Sequence, residues 1–199
     1  MFARTQTVTT NPLSRTSTLT AVLSLLLLSL GSRAVLAQEE FVDRTNGIKA
    51  VYVLNFGKYV TASPANSSVN SGDYIVGIVG PSSMTGSLEN VARKKTINSR
   101  KMKIISVTTA AEALGCNLLY VPHGQNNQFF PAIAAQVRGK PILLVGDEPG
   151  FAQQGGMINF YRLNNNIKFE INLGQAQTSG LIISSKLLKI GRPIPARPE

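Results

Sequence analysis

The chain has 199 residues, 20 Lys and Arg against 10 Asp and Glu, and a formal net charge of +10. One Cys and one His exclude an internal disulfide framework, a multi-cysteine zinc site and His-pair metal motifs. A hydrophobic share of 43% is too high for an intrinsically disordered chain, and the length suits one domain plus a targeting segment.

Residues 1–37 carry the three parts of a secretory signal peptide. Arg4 and Arg15 sit in a leading stretch without acids, Leu19–Leu30 is an apolar run, and Val35, Leu36 and Ala37 suit cleavage after Ala37. The apolar run is short beside the roughly 20 residues of a membrane-spanning helix. The expected mature domain is therefore 38–199, exported, and without Arg4, Arg15 and Arg33 its charge falls from +10 to +7. Its densest cations are Arg93, Lys94 and Lys95, then Arg100, Lys101 and Lys103. Such groups read first as a solvated helix end and loop; outside the cytoplasm the functional alternative is an acidic partner surface or anionic headgroups, not nucleic acid.

Asn46–Val60 reads as an amphipathic helix that buries Ile48, Val51, Tyr52, Phe56, Tyr59 and Val60, with Lys49 and Lys58 opposite and Asn55 on the apolar stripe. Ser63–Asp73 is a polar loop. Four near-continuous apolar runs follow, Tyr74–Val79, Met102–Val107, Asn117–Val121 and Ile142–Val145, as expected of strands covered on both faces. Leu88–Lys95, Ala110–Leu114 and Phe129–Val137 alternate with them as helices, which predicts a parallel sheet with right-handed crossovers. The rhythm then changes to period two, in Ile158 and Phe160 and again in Ile167, Phe169, Ile171 and Leu173. With Asn164, Asn165 and Asn166 between the runs, an antiparallel hairpin is expected. Gln175–Ile190 reads as a last helix and Arg192–Glu199 as a frayed tail. The fold class is α/β, a mostly parallel sheet flanked by helices with an antiparallel hairpin at one edge.

Chemistry-bearing motifs are sparse. There is no phosphate loop, dinucleotide fingerprint or nucleophile elbow, so no catalytic residue, metal ligand or cofactor is assigned. His123 follows a strand end, and Asp147 and Glu148 end the fourth strand, at the sheet edge where α/β folds bind ligands. These three form the candidate ligand pocket, with Pro81, Ser82, Thr108, Thr109 and Gly124 on neighbouring loops. Cys116 opens an apolar strand and reads as an inert buried thiol. Gly155 and Gly156, before Met157, permit either a tight turn or a backbone-lined partner edge.

Several segments together resemble a known family. The stretch from Ile48 to Val60 (IKAVYVLNFGKYV) is similar to the opening helix of the YfiR-like periplasmic proteins, and Phe151 to Phe160 (FAQQGGMINF) resembles their signature around paired glycines. Lys168 to Asn172, Leu181 to Leu188 and the strand opened by Cys116 continue the likeness in order over about 48–190. The resemblance implies a periplasmic, non-enzymatic regulator whose best-known relatives bind and repress an inner-membrane diguanylate cyclase and so restrain cyclic di-GMP signalling and biofilm formation. It departs from relatives with disulfides, since Cys116 is alone. The partner expected is the periplasmic domain of an inner-membrane signalling protein; the alternative is a small-ligand sensor serving a sensor kinase or uptake system. Candidate partner contacts are Lys49, Tyr52, Asn55, Gly155, Gly156, Met157 and Asn159. A homodimer through an edge strand and the last helix is also plausible on this pattern.

Overall fold

Apolar strands too short to shield themselves must be covered on both faces, and the computed structural model shows how this chain does so. It describes residues 44–66, 72–125 and 130–194, within the unit Asp43–Glu199; the signal segment expected at 1–37 lies outside the described residues. The helix α1 spans residues 44–59, and β1 (Val60–Ala62) follows it directly. Then come β2 (Tyr74–Val79), α2 (Thr85–Lys94), β3 (Thr96–Ile97), β4 (Arg100–Val107), α3 (Ala110–Leu114), β5 (Leu118–Val121), α4 (Phe130–Val137) and β6 (Leu143–Gly146). The described residues close with β7 (Ile158–Leu163), β8 (Asn166–Asn172), α5 (Leu173–Thr178), β9 (Leu181–Ile183), α6 (Ser185–Leu188) and β10 (Arg192–Ile194).

Eight strands form one sheet in the order β10-β8-β7-β6-β5-β2-β4-β3. The pairs β2–β4, β2–β5, β5–β6 and β6–β7 are parallel, and β7–β8 is the expected antiparallel hairpin, in the register Phe160↔Phe169. Its turn places Asn164 and Asn165 at φ 48° and 62°, the left-handed pair a two-residue hairpin needs. The α/β class with a mostly parallel sheet is therefore what the chain adopts.

Four expectations need correction. First, α1 is turned about its axis. It buries Asn46, Lys49, Ala50, Val53, Leu54 and Phe56, and leaves Ile48, Val51 and Tyr59 exposed. Periodicity alone assigned Lys49 to solvent, but an acid awaits it inside the fold. Second, the single helix Gln175–Ile190 does not exist. Gly180 takes φ 70° and stops α5; the β-branched Ile182 and Ile183 then pair in β9 with β1, Val60↔Ile183. Ser184 restarts a helix by accepting from the Lys186 N–H. Third, Arg192–Ile194 is not frayed but is β10, parallel to β8. Fourth, β10 covers the hairpin, so the outermost strands of the eight-stranded sheet are β10 and β3, and the long apolar helix invoked for a homodimer is replaced by α5, β9 and α6.

Candidate functional site

The parallel strands β5 and β6 end side by side, and the Asp147 N–H donates to the Val121 carbonyl at 3.2 Å. Two adjacent acids at that point face apart. Asp147 turns inward, where its Oδ2 is ion-paired with the Lys49 ammonium and accepts from the Tyr120 hydroxyl at 3.2 Å. Glu148 turns toward the β5 loop, accepting from the Gly124 N–H at 2.9 Å and lying 2.9 Å from His123 Nδ1. Burial, and then the Asp147 charge, push the Tyr120 phenol far above its ordinary range, so it stays a hydrogen-bond donor.

Lys49 explains the rotation of α1. Its side chain is 11% exposed, its ammonium lies 5.9 Å from the Phe160 ring centroid, and a charge so enclosed is retained only with a partner. Beside it, Tyr52, Phe56, Phe160 and Phe169 interlock, with Phe56–Phe169 ring centroids 4.9 Å apart and Tyr52–Phe169 at 5.4 Å. These edge contacts fasten α1 to the β7–β8 hairpin.

A cavity of about 430 Å³ opens next to this pair, lined by Lys49, His123, Asp147, Gln153, Asn159, Phe160, Tyr161, Arg162, Glu170 and Arg192 among others. Glu170 is nearly fully buried; its Oε2 accepts from Arg192 at 2.5 Å, and its Oε1 takes longer contacts from Asn159 Nδ2 at 3.4 Å and Gln153 Nε2 at 3.5 Å. Arg192 also lies 4.5 Å over the Tyr161 ring, so β10 lays a cation across the cavity's rim. Asn159 is 2% exposed, and its Oδ1 has no hydrogen-bond partner among the described residues. Such an acceptor costs roughly 1–3 kcal/mol if nothing donates to it. The cavity therefore offers the Lys49–Asp147 and Arg192–Glu170 ion pairs, the further cation Arg162, and the carbonyl-type acceptor of Asn159.

The paired glycines have a structural task. Phe151 packs between Gly146 and Gly156; a Cβ on Gly156 would stand 2.8 Å from the Phe151 carbonyl oxygen and inside its ring's envelope. Gly155 turns the chain at φ 104°, a conformation that glycine adopts without penalty. Lys49, Gly156, Met157 and Asn159 are buried and do not form the exterior surface expected of partner contacts: Lys49 answers Asp147, Gly156 packs against Phe151, and Asn159 lines the cavity beside Glu170. Of that set only Tyr52, Asn55 and Gly155 reach solvent. Tyr52 and Asn55 border a shallow groove of about 440 Å³ with Arg44, Gly47, Ile48 and Val51.

The candidate pocket is likewise redrawn. His123 and Asp147 line the cavity, while Glu148 holds the His123 loop from behind. Thr109 caps α3 in a reciprocal capping box with Glu112. Sequence reasoning missed Glu170, Asn159's free acceptor and Arg192. Period two puts Glu170 with Lys168 on the face opposite Phe169 and Ile171, the side expected to meet solvent; Arg192 and Gln153 cover that face and bury it. Cys116 is buried as expected, and burial first, then Glu112, pushes its thiol up to about 11. Among the described residues no group of His, Cys, Asp and Glu could hold a metal ion, and no helix is long and apolar enough to cross a membrane.

Compared with known proteins, residues 46–192 match the family model described as YfiR/HmsC-like. No curated protein matches the chain. Among solved structures, one described as an ABC domain in complex with L-Trp from Streptococcus pneumonia is similar, with 14% identity and a TM-score of 0.46. That likeness covers 71% of this chain and 59% of the other, so the chain spans less than two thirds of that protein.

Proposed function

Because the chain belongs to the YfiR/HmsC-like family, we propose that it is a periplasmic regulator that binds the periplasmic domain of an inner-membrane signalling protein, a diguanylate cyclase, and holds it inactive. The family is a regulatory one, periplasmic and known in cyclic di-GMP control. The observation that carries the reading is the match over nearly all of the described domain. A docking role for α1 is supported by its solvent-facing apolar stripe: Ile48 is 45% exposed, Val51 50% and Tyr59 37%. Three large apolar side chains on one helix face are the kind of surface that a partner's groove covers.

The test uses residues 38–199 as tagged bait, crosslinked in intact cells, with partners identified by mass spectrometry. Recovery of a cyclase, its loss with Val51→Glu, and a rise in cyclic di-GMP on deletion are the expected results. Unchanged cyclic di-GMP on deletion removes the cyclase. Recovery of a sensor kinase keeps the regulator and changes its target.

A second reading, the small-ligand sensor, is favoured by the unpaired Asn159 Oδ1 beside the 430 Å³ cavity. A ligand bound there would donate to that oxygen and raise the melting temperature by mass action. A thermal-shift screen in which Asn159→Leu responds as the parent does would dismiss it.

A further inference from the structure

We infer that the β3–β4 edge of the sheet is a docking surface for anionic phospholipid headgroups, holding the protein against a membrane. Six cations and no acid occur between residues 93 and 103. Arg93 and Lys94 end α2, Lys95 caps it, and Lys101 and Lys103 alternate along the start of β4. These five are all exposed, and among the described residues none of them is ion-paired with a carboxylate. Arg100 is the exception in use: it donates to the Gly72 and Asp73 carbonyls at 2.7 and 2.5 Å and stacks 5.3 Å from the Tyr74 ring, fixing the base of the hairpin.

The topology concentrates these charges. β3 is the outermost strand of the sheet, and the turn at Asn98 and Ser99, with φ 48° and 69°, folds it back on β4. The register Thr96↔Lys101 sets Lys101 against the outermost strand, with Lys95 one residue before that pair, so the cations flank the sheet edge on both of its faces. An interior use for five solvated cations is absent, and the last-turn pair on α2 accounts for only Arg93 and Lys94 through the helix dipole. Clustered cations of this number gain from the negative surface potential of anionic lipids, each by about 1 kcal/mol or roughly fivefold in partitioning. An edge-on approach by β3 also suits the rest of the molecule. Lys101 and Lys103 lie at the amino-terminal end of the parallel strands, whereas Asp147 lies at the carboxyl-terminal end, so the cavity stays open when this edge meets headgroups.

The experiment is vesicle co-sedimentation with residues 38–199, which contain the whole compact unit from Asp43. Vesicles containing phosphatidylglycerol are compared with vesicles of phosphatidylcholine alone, at low and at raised salt. The parent is expected to bind the first and not the second, and to be released by salt. The variant Lys94→Gln/Lys101→Gln/Lys103→Gln should partition on the order of 100-fold more weakly, with an unchanged melting temperature. The matched control Lys58→Gln/Lys168→Gln/Lys186→Gln should lose much less. Equal binding to both vesicle types, or equal losses in both variants, overturns the proposal. So does a parent that ignores vesicles but loses a crosslinked membrane protein on substitution, because the edge then serves an acidic protein.

Discussion

The tightest packing around the candidate site is Phe151 between Gly146 and Gly156, and it yields a sharp test. Adding one methyl in Gly156→Ala places carbon 2.8 Å from the Phe151 carbonyl oxygen and overlaps its ring, where about 3.5–4.0 Å is the comfortable separation. The ring cannot simply swing aside, because Phe130 packs against it at 4.9 Å between centroids and Phe151 is fully buried. The carbonyl cannot retreat either, since it accepts the Gly156 N–H at 3.0 Å. Overpacking of this kind costs about 2–3 kcal/mol, which lowers the melting temperature of a domain this size by roughly 5–10 °C. Calorimetry on Gly156→Ala, Phe151→Leu and the double variant reads it directly. The smaller ring substitute should relieve part of the clash, so the two changes should be less than additive. A melting point for Gly156→Ala within about one degree of the parent would refute the packing argument and return the glycines to a surface role.

Lys49→Met leaves Asp147 enclosed and unpaired, and should cost about 2–3 kcal/mol in urea denaturation, below the 3–5 of fully buried pairs because Asp147 keeps some solvent; adding Asp147→Asn should recover at least part of it. A loss under about 0.5 kcal/mol would show that the pair is not what turns α1. The Cys116 thiol, pushed up to about 11, holds about one part in a thousand as thiolate at pH 8. Iodoacetamide should therefore spare it in the native protein and label it in urea, and fast native labelling would contradict its placement. Backbone hydrogen bonds from Thr108 and Thr109 hold the Glu112 carboxyl below its usual value. Its contribution to stability is present above the ordinary carboxylate range and is lost as pH falls through the lowered value; Glu112→Gln should flatten that part of an acid titration of the melting temperature.

Local signals were legible and distant ones were not. Tyr74–Val79 and Ala110–Leu114 can be read from their residues because a continuous β-branched run and a Thr-x-x-Glu start carry their own instructions. Asn164 and Asn165 likewise announce their turn. The phase of α1 cannot be read that way: eight apolar residues allow two neighbouring faces, and the choice is made by Asp147, far along the chain. Gln175–Ile190 has apolar residues at helical spacing, yet Gly180 and the pairing of β9 with β1 prevail over that spacing. The cavity needed Arg192 from β10, whose existence depends on β8 offering it a ladder. Tyr52 and Asn55 were found at the surface, whereas the glycine segment drew notice for its rarity and proved to be packing.

The small β1–β9 ladder joins Val60 to Ile183, and β10 adds Arg192–Ile194 to β8. Both closures must wait until the carboxyl-terminal strands have been made; the one from Val60 to Ile183 closes a long loop before any contact repays it, whereas β10 reaches back only from Arg192 to Glu170. Folding of this chain is thus governed by its tail: the aromatic cluster under α1 draws Phe160 and Phe169 from the same late hairpin, so α1 is fastened only once those strands exist. A release of Arg192–Ile194 would reopen the rim above Glu170 without unravelling the β-sheet behind it, which makes the last strand a latch in kinetic terms.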